Sequence, residues 1–208
     1  MPDRSLSVSA QLILASASSG RADILRGAAM AFIQRPAAID ERALEADLVR
    51  REGGIDAGRL ALALAAAKAE AISAGEPDFL VIGADQVMEC AGVLYQKPPD
   101  VEAARDQLLQ LRGRTHRLNS GICAARSGRV EWRHLAVAEL TMCAFSERFL
   151  DDYCRAEGPA MLLSVGSYRI EGRGIQLFSK IEGDYFTIIG LPLLPLLGYL
   201  RDIGWLAS

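Results

Sequence analysis

The apolar run Phe79–Gly83 (FLVIG) constrains the fold most, because a strand of continuous apolar residues is typical of a sheet covered on both faces. Gln11–Ala15 predicts another short buried strand. Between them, DAGRLALALAAAKAEAISAG favours a helix from Asp56 to Gly75, since alanine and leucine are strong helix formers. Its apolar positions cover most of the circumference, so we expect it to be largely buried.

The second half of the chain is richer in hairpin signals. Two long stretches, Thr115–Ala125 and Arg129–Thr141, flank Ser127-Gly128, a pair typical of a hairpin turn. After Ser164 we expect strands that alternate with glycine turns. Further predicted elements are a strand at Ala31–Gln34 and helices at Val101–Leu111, from Ser146 through Tyr153, and after Pro192. The sequence therefore predicts an α/β fold with a mixed twisted sheet flanked by helices.

Length and charge limit the classes of function. A chain of 208 residues suits one domain over residues 1–208, with two lobes. The 23 basic and 26 acidic residues give a net charge of -3 without a run of like charges, which argues against a nucleic-acid polymer as partner. The chain has no apolar run long enough to span a membrane, and its start lacks the apolar core of a secretory signal, so we expect a cytoplasmic protein.

The cysteines do not form a metal-binding or disulfide pattern. Cys90, Cys123, Cys143 and Cys154 stand far apart, and no pair has the Cys-x-x-Cys spacing. We interpret them as reduced thiols that fill core space. A metal would then be held by oxygen ligands, which favours Mg²⁺ or Mn²⁺. For His116 we expect a structural hydrogen bond.

The stretch LILASASSGRADIL, residues 12–25, ends a strand in small polar residues and resumes as a helix. Ser18 or Ser19 can cap that helix. The free N–H groups and dipole of a helix start favour an anion, and Arg21 adds a forked cation suited to phosphate oxygens. Together with Ser16 it makes a candidate phosphate-binding turn. The alternative is an ordinary turn with a solvent-exposed Arg21.

Asp85 is the strongest candidate for chemistry. It lies two residues after Gly83, just beyond the predicted end of the central strand, where open α/β sheets place their ligand crevices. A turn-capping Asp is the alternative, although GADQ has no following helix pattern or glycine for the side chain to serve.

Two lysines are candidate phosphate ligands. Lys97, in QKPP, is held in an extended segment by the two prolines that follow it. Lys68 interrupts the apolar run LALALAAAKAEA, and either extends to the surface along its aliphatic stem or takes part in catalysis.

Further acidic residues are less specific. Asp40 and Glu41 either cap the next helix or share a cation with Asp85. Glu171 and Asp184 lie beside the glycine turns EGRG and EGD, where the backbone turns sharply or approaches a ligand closely.

Taken together, these segments resemble the Maf family. They are, in chain order, LASASSGR, Asp40-Glu41, Lys68-Ala69, GADQV, KP, LRGRTHRLNSG and EGRGIQLFSKIEGDYFTIIGLPL. The resemblance spans about Leu12 to Leu200. It implies a nucleoside triphosphate pyrophosphatase with the fold of the inosine triphosphatase group and two lobes around a nucleotide cleft. Such an enzyme uses a divalent metal to split a nucleotide between its α and β phosphates.

The resemblance also implies a role for each candidate. Asp85 would be the catalytic base and would hold Mg²⁺ or Mn²⁺ with Glu41, while Ser16, Arg21, Lys68 and Lys97 would bind the phosphates. Gln86 and Glu171 would read the base and place the chain nearer the 7-methyl-GTP branch than the dTTP and UTP branch. A carboxylate can accept hydrogen bonds from the N1–H and 2-amino edge of guanine.

Two positions depart from the family pattern, and they keep other functions open. Gly20 stands where the family usually has a bulkier residue, and Ser164 precedes Val165-Gly166 where the pyrimidine branch often has Lys-Ala-Gly. The alternatives are a nucleotide-binding regulator of cell division with little catalysis, a dTTP or UTP pyrophosphatase, and nucleotidyl transfer to a sugar. The apolar segment LPLLPLLGYL favours core packing over a homodimer contact.

Overall fold

A computed structural model describes residues 11–52 and 56–207. The single domain predicted for residues 1–208 extends beyond the described residues at both ends. The strands are β1 (Gln11–Leu14), β2 (Ile33–Gln34), β3 (Phe79–Cys90), β4 (Val93–Tyr95), β5 (Thr115–Arg126), β6 (Arg129–Met142) and β7 (Phe178–Glu182). The α-helices are α1 (Ser19–Gly27), α2 (Glu41–Glu52), α3 (Ala57–Ser73), α4 (Val101–Leu111), α5 (Glu147–Glu157), α6 (Tyr185–Ile189) and α7 (Leu193–Asp202). Two 3₁₀ helices cover Gly158–Leu163 and Arg173–Leu177.

The described strands form one mixed sheet in the order β2-β1-β3-β5-β6-β7, with β4 paired to β3. Strand β1 is parallel to both β2 and β3. The pairs β3–β4, β3–β5, β5–β6 and β6–β7 are antiparallel. The predicted α/β class with a mixed sheet is therefore confirmed.

Alternating residues of the central strands supply two cores. Leu14 and Ile82 pack on one face with residues of α1 and α7. Ile13 and Val81 pack on the opposite face against the alanines of α3. Because successive strand residues point to opposite faces, the continuous apolar runs are buried on both sides, as the sequence predicts.

Strand β3 is longer than the apolar run at its start. The sequence predicts a strand that ends at Gly83, but the strand continues to Cys90, because its antiparallel ladder with β5 extends to the pair Glu89 and Arg117. Asp85 therefore lies inside a strand, opposite Gly121, and not in a turn beyond its end. Apolar continuity underestimated the strand, since its second half borders a cleft and carries polar side chains.

Two glycines allow α3 to lie directly on the sheet. A Cβ at Gly83 would come within 2.0 Å of the Ala65 carbonyl oxygen, and one at Gly121 within 2.6 Å of the Ala61 backbone. Contacts of that length are impossible, so any larger residue would push the helix outward. The alanine-rich face of α3 thus packs closely on β3 and β5.

Three helices start where the sequence predicts, and each start is capped by a side chain. The side chains of Ser18, Asp56 and Ser146 accept hydrogen bonds from the backbone N–H three residues later in α1, α3 and α5. After Ser164 the expected alternation of strands is wrong for the described residues, where β7 stands alone among turns and short helices. Glycine turns alone do not distinguish strands from 3₁₀ segments.

The C-terminal apolar segment and the cysteines are placed as expected. Leu193, Leu196 and Leu200 of α7 are buried, which confirms core packing for this segment. The four cysteines are free thiols, and Cys90 and Cys123 are buried. Among residues 11–52 and 56–207, no helix has the length and apolar character needed to cross a membrane.

Candidate active site

A single cleft of about 1050 Å³ brings the predicted site residues together. Its walls come from the start of α1 and α2, from α3, β3 and α6, and from the loops that follow β4 and α5. Every residue predicted to take part in catalysis, metal binding or substrate binding lines this cleft: Ser16, Arg21, Glu41, Lys68, Asp85, Gln86, Lys97 and Glu171. Residues from segments far apart in the chain therefore share one site.

Arg21 is buried at the base of the cleft. Its Nε donates to the Gly190 carbonyl at 2.8 Å, and its Nη1 donates to the Ala84 carbonyl at 2.7 Å and to Ser16 Oγ at 3.0 Å. The alternative of a solvent-exposed Arg21 is therefore wrong. Burial lowers the pKa of the guanidinium, and the charges of Asp85 and Glu41 oppose that shift. An Arg remains charged under such conditions, so it supplies a fixed cation.

The turn from β1 into α1 is held by a residue that the sequence did not single out. Gln34 donates from Nε2 to the carbonyls of Ser16 and Ser18, at 3.0 and 3.3 Å. Ser18 caps α1 by accepting the Arg21 N–H. Residues 16–20 line the cleft, so the positive end of the helix dipole faces it.

Lys68 joins two carboxylates. Its ammonium donates to Asp85 and lies 2.7 Å from Glu41 Oε1. The Lys68 side chain is only 11% exposed, so the interpretation that it extends to the surface is wrong. The two neighbouring acids have different partners. Asp40 caps α2 by accepting the Ala43 N–H at 2.9 Å, whereas Glu41 shares the Lys68 ammonium with Asp85.

Lys97 reaches the same cleft from the loop after β4. Among the described residues its ammonium has no hydrogen-bond or ion-pair partner. Burial of the ammonium end and the charge of Arg21 lower its pKa, while Asp85 and Glu41 raise it. The residue as a whole keeps exposed surface, which is consistent with a side chain that enters the cleft from its rim.

Gln86 points toward α6. Its Nε2 donates to Ser120 Oγ at 2.8 Å and to the carbonyls of Thr187 and Ile188 at 3.0 and 3.1 Å. Both amide hydrogens are thus used within the protein. Contact between Gln86 and a base would have to come from its Oε1.

Glu171 lies on the opposite wall, in the loop after α5. Its Oε1 accepts from Arg169 Nε at 3.0 Å. Near it, Tyr168 lines the cleft and its hydroxyl is 2.7 Å from Nε2 of the buried His116. The structural hydrogen bond expected for His116 is confirmed, and burial lowers the pKa of this imidazole to about 4. Asp184 caps α6 by accepting the Thr187 N–H.

A family model described as Maf-like protein matches residues 11–203. The chain belongs to the Maf family. It is 49% identical to a 7-methyl-GTP pyrophosphatase of Rhizobium etli, over 93% of this chain and 96% of that protein. It is 50% identical to a nucleoside triphosphate pyrophosphatase of Granulibacter bethesdensis, over 92% of this chain and 96% of that protein.

Among solved structures, a Staphylococcus aureus Ham1 protein resembles this Maf protein weakly, with a TM-score of 0.40 and 15% sequence identity. The overlap covers 64% of this chain and 72% of that one.

The two departures of this Maf protein from the expected pattern both lie at the cleft. A Cβ on Gly20 would be 3.0 Å from Ile189 Cγ2, so a bulkier residue would require Ile189 to move. Ser164 lines the cleft and accepts the Gly166 N–H at 3.2 Å. In this chain Gly20 thus brings α1 against α6, and Ser164 stabilises the loop that carries Glu171.

Two carboxylates are available for a divalent metal. The described residues contain no cluster of three or more His, Cys, Asp and Glu side chains with metal-binding geometry. Asp85 and Glu41 instead meet at one ammonium. Mg²⁺ is often held by one or two carboxylates, with substrate phosphates and water as its other ligands, so this donor set fits the predicted ion.

Proposed function

We propose that this Maf protein hydrolyses a nucleoside triphosphate to the monophosphate and pyrophosphate. One observation carries the proposal: Arg21, Lys68 and Lys97 line one cleft with the Asp85 carboxylate. Cations around a carboxylate suit an anionic phosphate chain that is attacked by water. The two relatives that are about half identical over nearly the whole chain, and are named pyrophosphatases, support it.

The cationic groups bind and orient the phosphates. Arg21 uses Nε and Nη1 inside the protein, which fixes the plane of its guanidinium and leaves Nη2 for a phosphate oxygen. Lys97 brings an ammonium from the rim, and the start of α1 adds backbone N–H groups beside Ser16. These groups hold the α-phosphorus in position and stabilise the charge that develops in the transition state.

Asp85 accepts the proton of the attacking water. The new bond joins the water oxygen to the α-phosphorus, the bond between that phosphorus and the bridging oxygen to the β-phosphate breaks, and pyrophosphate leaves with the electron pair. Lys68 orients the Asp85 carboxylate by its hydrogen bond, and Glu41 holds the other side of the ammonium. Asp85 and Glu41 would also hold Mg²⁺ or Mn²⁺, which neutralises phosphate charge when bound.

We assign base recognition to the wall that carries Glu171. Its carboxylate can accept from the N1–H and 2-amino groups of guanine, whereas uracil and thymine have no such pair of donors. The positive charge of a 7-methylated guanine strengthens that interaction. The favoured substrate is therefore 7-methyl-GTP rather than dTTP or UTP, and the four free thiols suit the reducing cytoplasm.

A nucleotide panel tests the proposal. Purified protein is incubated with Mg²⁺ or Mn²⁺ and with 7-methyl-GTP, GTP, dTTP, UTP or CTP, and the nucleotide products and pyrophosphate are quantified. We expect equal amounts of monophosphate and pyrophosphate, with the highest kcat/KM for 7-methyl-GTP. Tight nucleotide binding without pyrophosphate release would instead support the regulator alternative. In a parallel incubation that also contains a sugar phosphate as acceptor, a nucleotide joined to that sugar would support nucleotidyl transfer.

A further inference from the structure

The loop that carries Glu171 lies between the two 3₁₀ helices. We call residues 164–171 the recognition loop. The residues of this loop that line the cleft are Ser164, Val165, Tyr168, Arg169, Ile170 and Glu171. The conformation of the recognition loop therefore decides where the Glu171 carboxylate lies in the cleft.

Two helices anchor the first half of the recognition loop. Gln107 of α4 donates from Nε2 to the Val165 carbonyl. Tyr153 of α5 donates from its hydroxyl to the Ser167 carbonyl at 3.2 Å. The backbone of the loop is thus tied to side chains that lie on the side of the loop away from the cleft.

Ser167 has a backbone conformation that is unusual for a residue with a side chain. Its φ is 59°, in the left-handed region, and the residue is fully buried. Next to it, a Cβ on Gly166 would be 2.2 Å from Tyr168 Cε1, so only glycine fits against that ring. A conformation of this kind costs free energy and persists only where the surroundings fix it. The recognition loop is therefore held in one tightly packed conformation around Tyr168.

The third anchor of the loop is the hydrogen bond of 2.7 Å between His116 Nε2 and the Tyr168 hydroxyl. Both residues are buried, and the Tyr168 ring also packs edge-on against Phe178, with 4.8 Å between the ring centroids. Among the described residues, His116 Nδ1 has no hydrogen-bond partner. A buried unpaired nitrogen costs stability, and an apolar side chain at this position would have no such atom. The bond to Tyr168 is therefore what distinguishes His116 from an ordinary core residue.

We propose that His116 and Tyr168 are positioning residues that place Glu171 for recognition of the base. The inference deepens the proposed function, and it rests on the assignment of base recognition to Glu171. Arg169 follows Tyr168 directly in the chain, donates to the Glu171 carboxylate, and accepts the Gly172 N–H at its carbonyl at 3.2 Å. A displacement of Tyr168 thus reaches Glu171 through its immediate neighbour.

Positioning and simple core packing predict different effects on ligands. The cationic phosphate ligands Arg21, Lys68 and Lys97 belong to α1, α3 and the loop after β4. If the pair positions Glu171, its loss reduces the preference for a guanine base and leaves the binding of a bare phosphate chain unchanged. If the pair only supports the core, its loss lowers the melting temperature without changing the preference among bases.

Three probes separate these effects by calorimetry. The first two are 7-methyl-GMP and dTMP, which have no bond between an α and a β phosphate, so their binding is measured without turnover. The third is inorganic tripolyphosphate, which has no base. The preference of the protein is the ratio of the dissociation constants for dTMP and 7-methyl-GMP.

The variants are Tyr168→Phe, His116→Leu and the double variant that combines them. Each single change leaves a buried polar atom of the pair unpaired, whereas the double variant leaves none, so it should recover melting temperature relative to the single variants. We expect the preference to fall about tenfold in all three, the size of a hydrogen bond to a charged group. Tripolyphosphate affinity should be unchanged.

A conservative variant and a matched control accompany them. His116→Gln keeps an amide close to the place of Nε2, so it should retain most of the preference. Tyr199→Phe also removes a tyrosine hydroxyl, one that lies 3.3 Å from Glu131 Oε2 on the surface and away from the cleft. It should leave the preference unchanged.

The double variant decides between the two roles. Recovery of both the melting temperature and the preference would overturn the proposal, because the hydrogen bond would then serve the core alone. An equal loss of affinity for all three probes would overturn it as well. In a Glu171→Gln background, Tyr168→Phe should have little further effect on the preference, and effects that simply add would contradict an action through Glu171.

The parent protein distinguishes failure of this inference from failure of the proposed function. If the parent prefers 7-methyl-GMP but releases no pyrophosphate from nucleoside triphosphates, the hydrolase is wrong and the positioning role is still tested by affinity. If the parent hydrolyses nucleotides and the variants keep its preference, the positioning role alone is wrong. A parent without any preference between 7-methyl-GMP and dTMP overturns the inference, since Glu171 would then recognise no base.

Discussion

Lys68 donates a hydrogen bond to Asp85, and both side chains are almost fully buried, at 11% and 12% exposed. The pair joins the helix α3 to the central strand β3. It depends on the close packing of α3 on the sheet, which brings the helical Lys68 within reach of the strand. The same ammonium contacts Glu41 of α2, so three elements meet at one cation.

Replacement of Asp85 by Asn should remove most of the activity without unfolding the protein. Asn has nearly the same shape but does not accept the proton of water, and loss of a general base typically costs about a hundredfold in rate. We therefore expect kcat for 7-methyl-GTP to fall by at least about a hundredfold. The matched control is Asp106→Asn, at an exposed position of α4. Turnover within a few-fold of the parent would exclude Asp85 as the base.

The activity should decrease at a lower alkaline pH than an ordinary lysine would require. Burial and Arg21 lower the pKa of Lys97, so its ammonium loses its proton, and with it the attraction for phosphate, as the pH rises toward that lowered value. The decrease should appear in kcat/KM, which reports the free enzyme. Lys97→Arg should shift the decrease to higher pH. An unchanged alkaline limb in this variant would assign it to another group.

Acid should destabilise the fold through His116. Its folded pKa is about 4, below the ordinary value of 6.5, so the unfolded chain binds an extra proton in this interval. Its contribution to stability is complete above about pH 6.5 and is lost as the pH falls toward 4, by up to about 1.4 kcal/mol per pH unit. Urea unfolding at a series of pH values measures the slope.

The variant His116→Gln should flatten this dependence, since Gln keeps a hydrogen-bonding group but does not titrate. His134→Gln serves as the control, because His134 lies on β6 in a partly exposed position. Equal slopes in the parent and in His116→Gln would assign the acid sensitivity to carboxylates.

Gly121→Ala should separate α3 from the sheet. The added Cβ would lie 2.6 Å from the Ala61 backbone, where no flexible side chain can move aside. We expect a loss of about 2 kcal/mol or more in the free energy of unfolding, together with reduced turnover because Lys68 moves away from Asp85. Gly198→Ala is the control, since its Cβ meets no atom within 4 Å and should slightly stabilise α7. Normal activity in Gly121→Ala would show that the site does not require this close packing.

Local patterns predicted most elements well. The bounds of α4 match the prediction. The helices α1, α3 and α5 begin directly after Ser18, Asp56 and Ser146, where starts were expected, because helix starts depend on bonds between near neighbours. The predicted end of β3 at Gly83 was wrong. The polar residues after Gly83 are held in the strand because they pair with β5, which is distant in sequence. The strand propensity of these residues contains no information about that long-range pairing.

The sequence identified the candidate site residues but not the side chains that hold them in place. The resemblance named eight of the residues that line the cleft, but Gln34, Ser120 and Tyr168 were not singled out. Each acts on a partner at least 16 positions away in the chain, as Gln34 does on Ser16 and Ser18. A Gln, Ser or Tyr that bonds a distant partner has no distinctive local pattern.

Sequence by itself determined the α/β class, the helix caps, the family and the residues available for phosphate chemistry, because these follow from short-range periodicity and recognisable motifs. Only the tertiary structure decided that Lys68 is buried between Asp85 and Glu41, and that the Gln86 amide is bonded to α6. Both depend on how helices pack against a sheet, and the free energy of that packing comes from contacts between residues far apart in the chain.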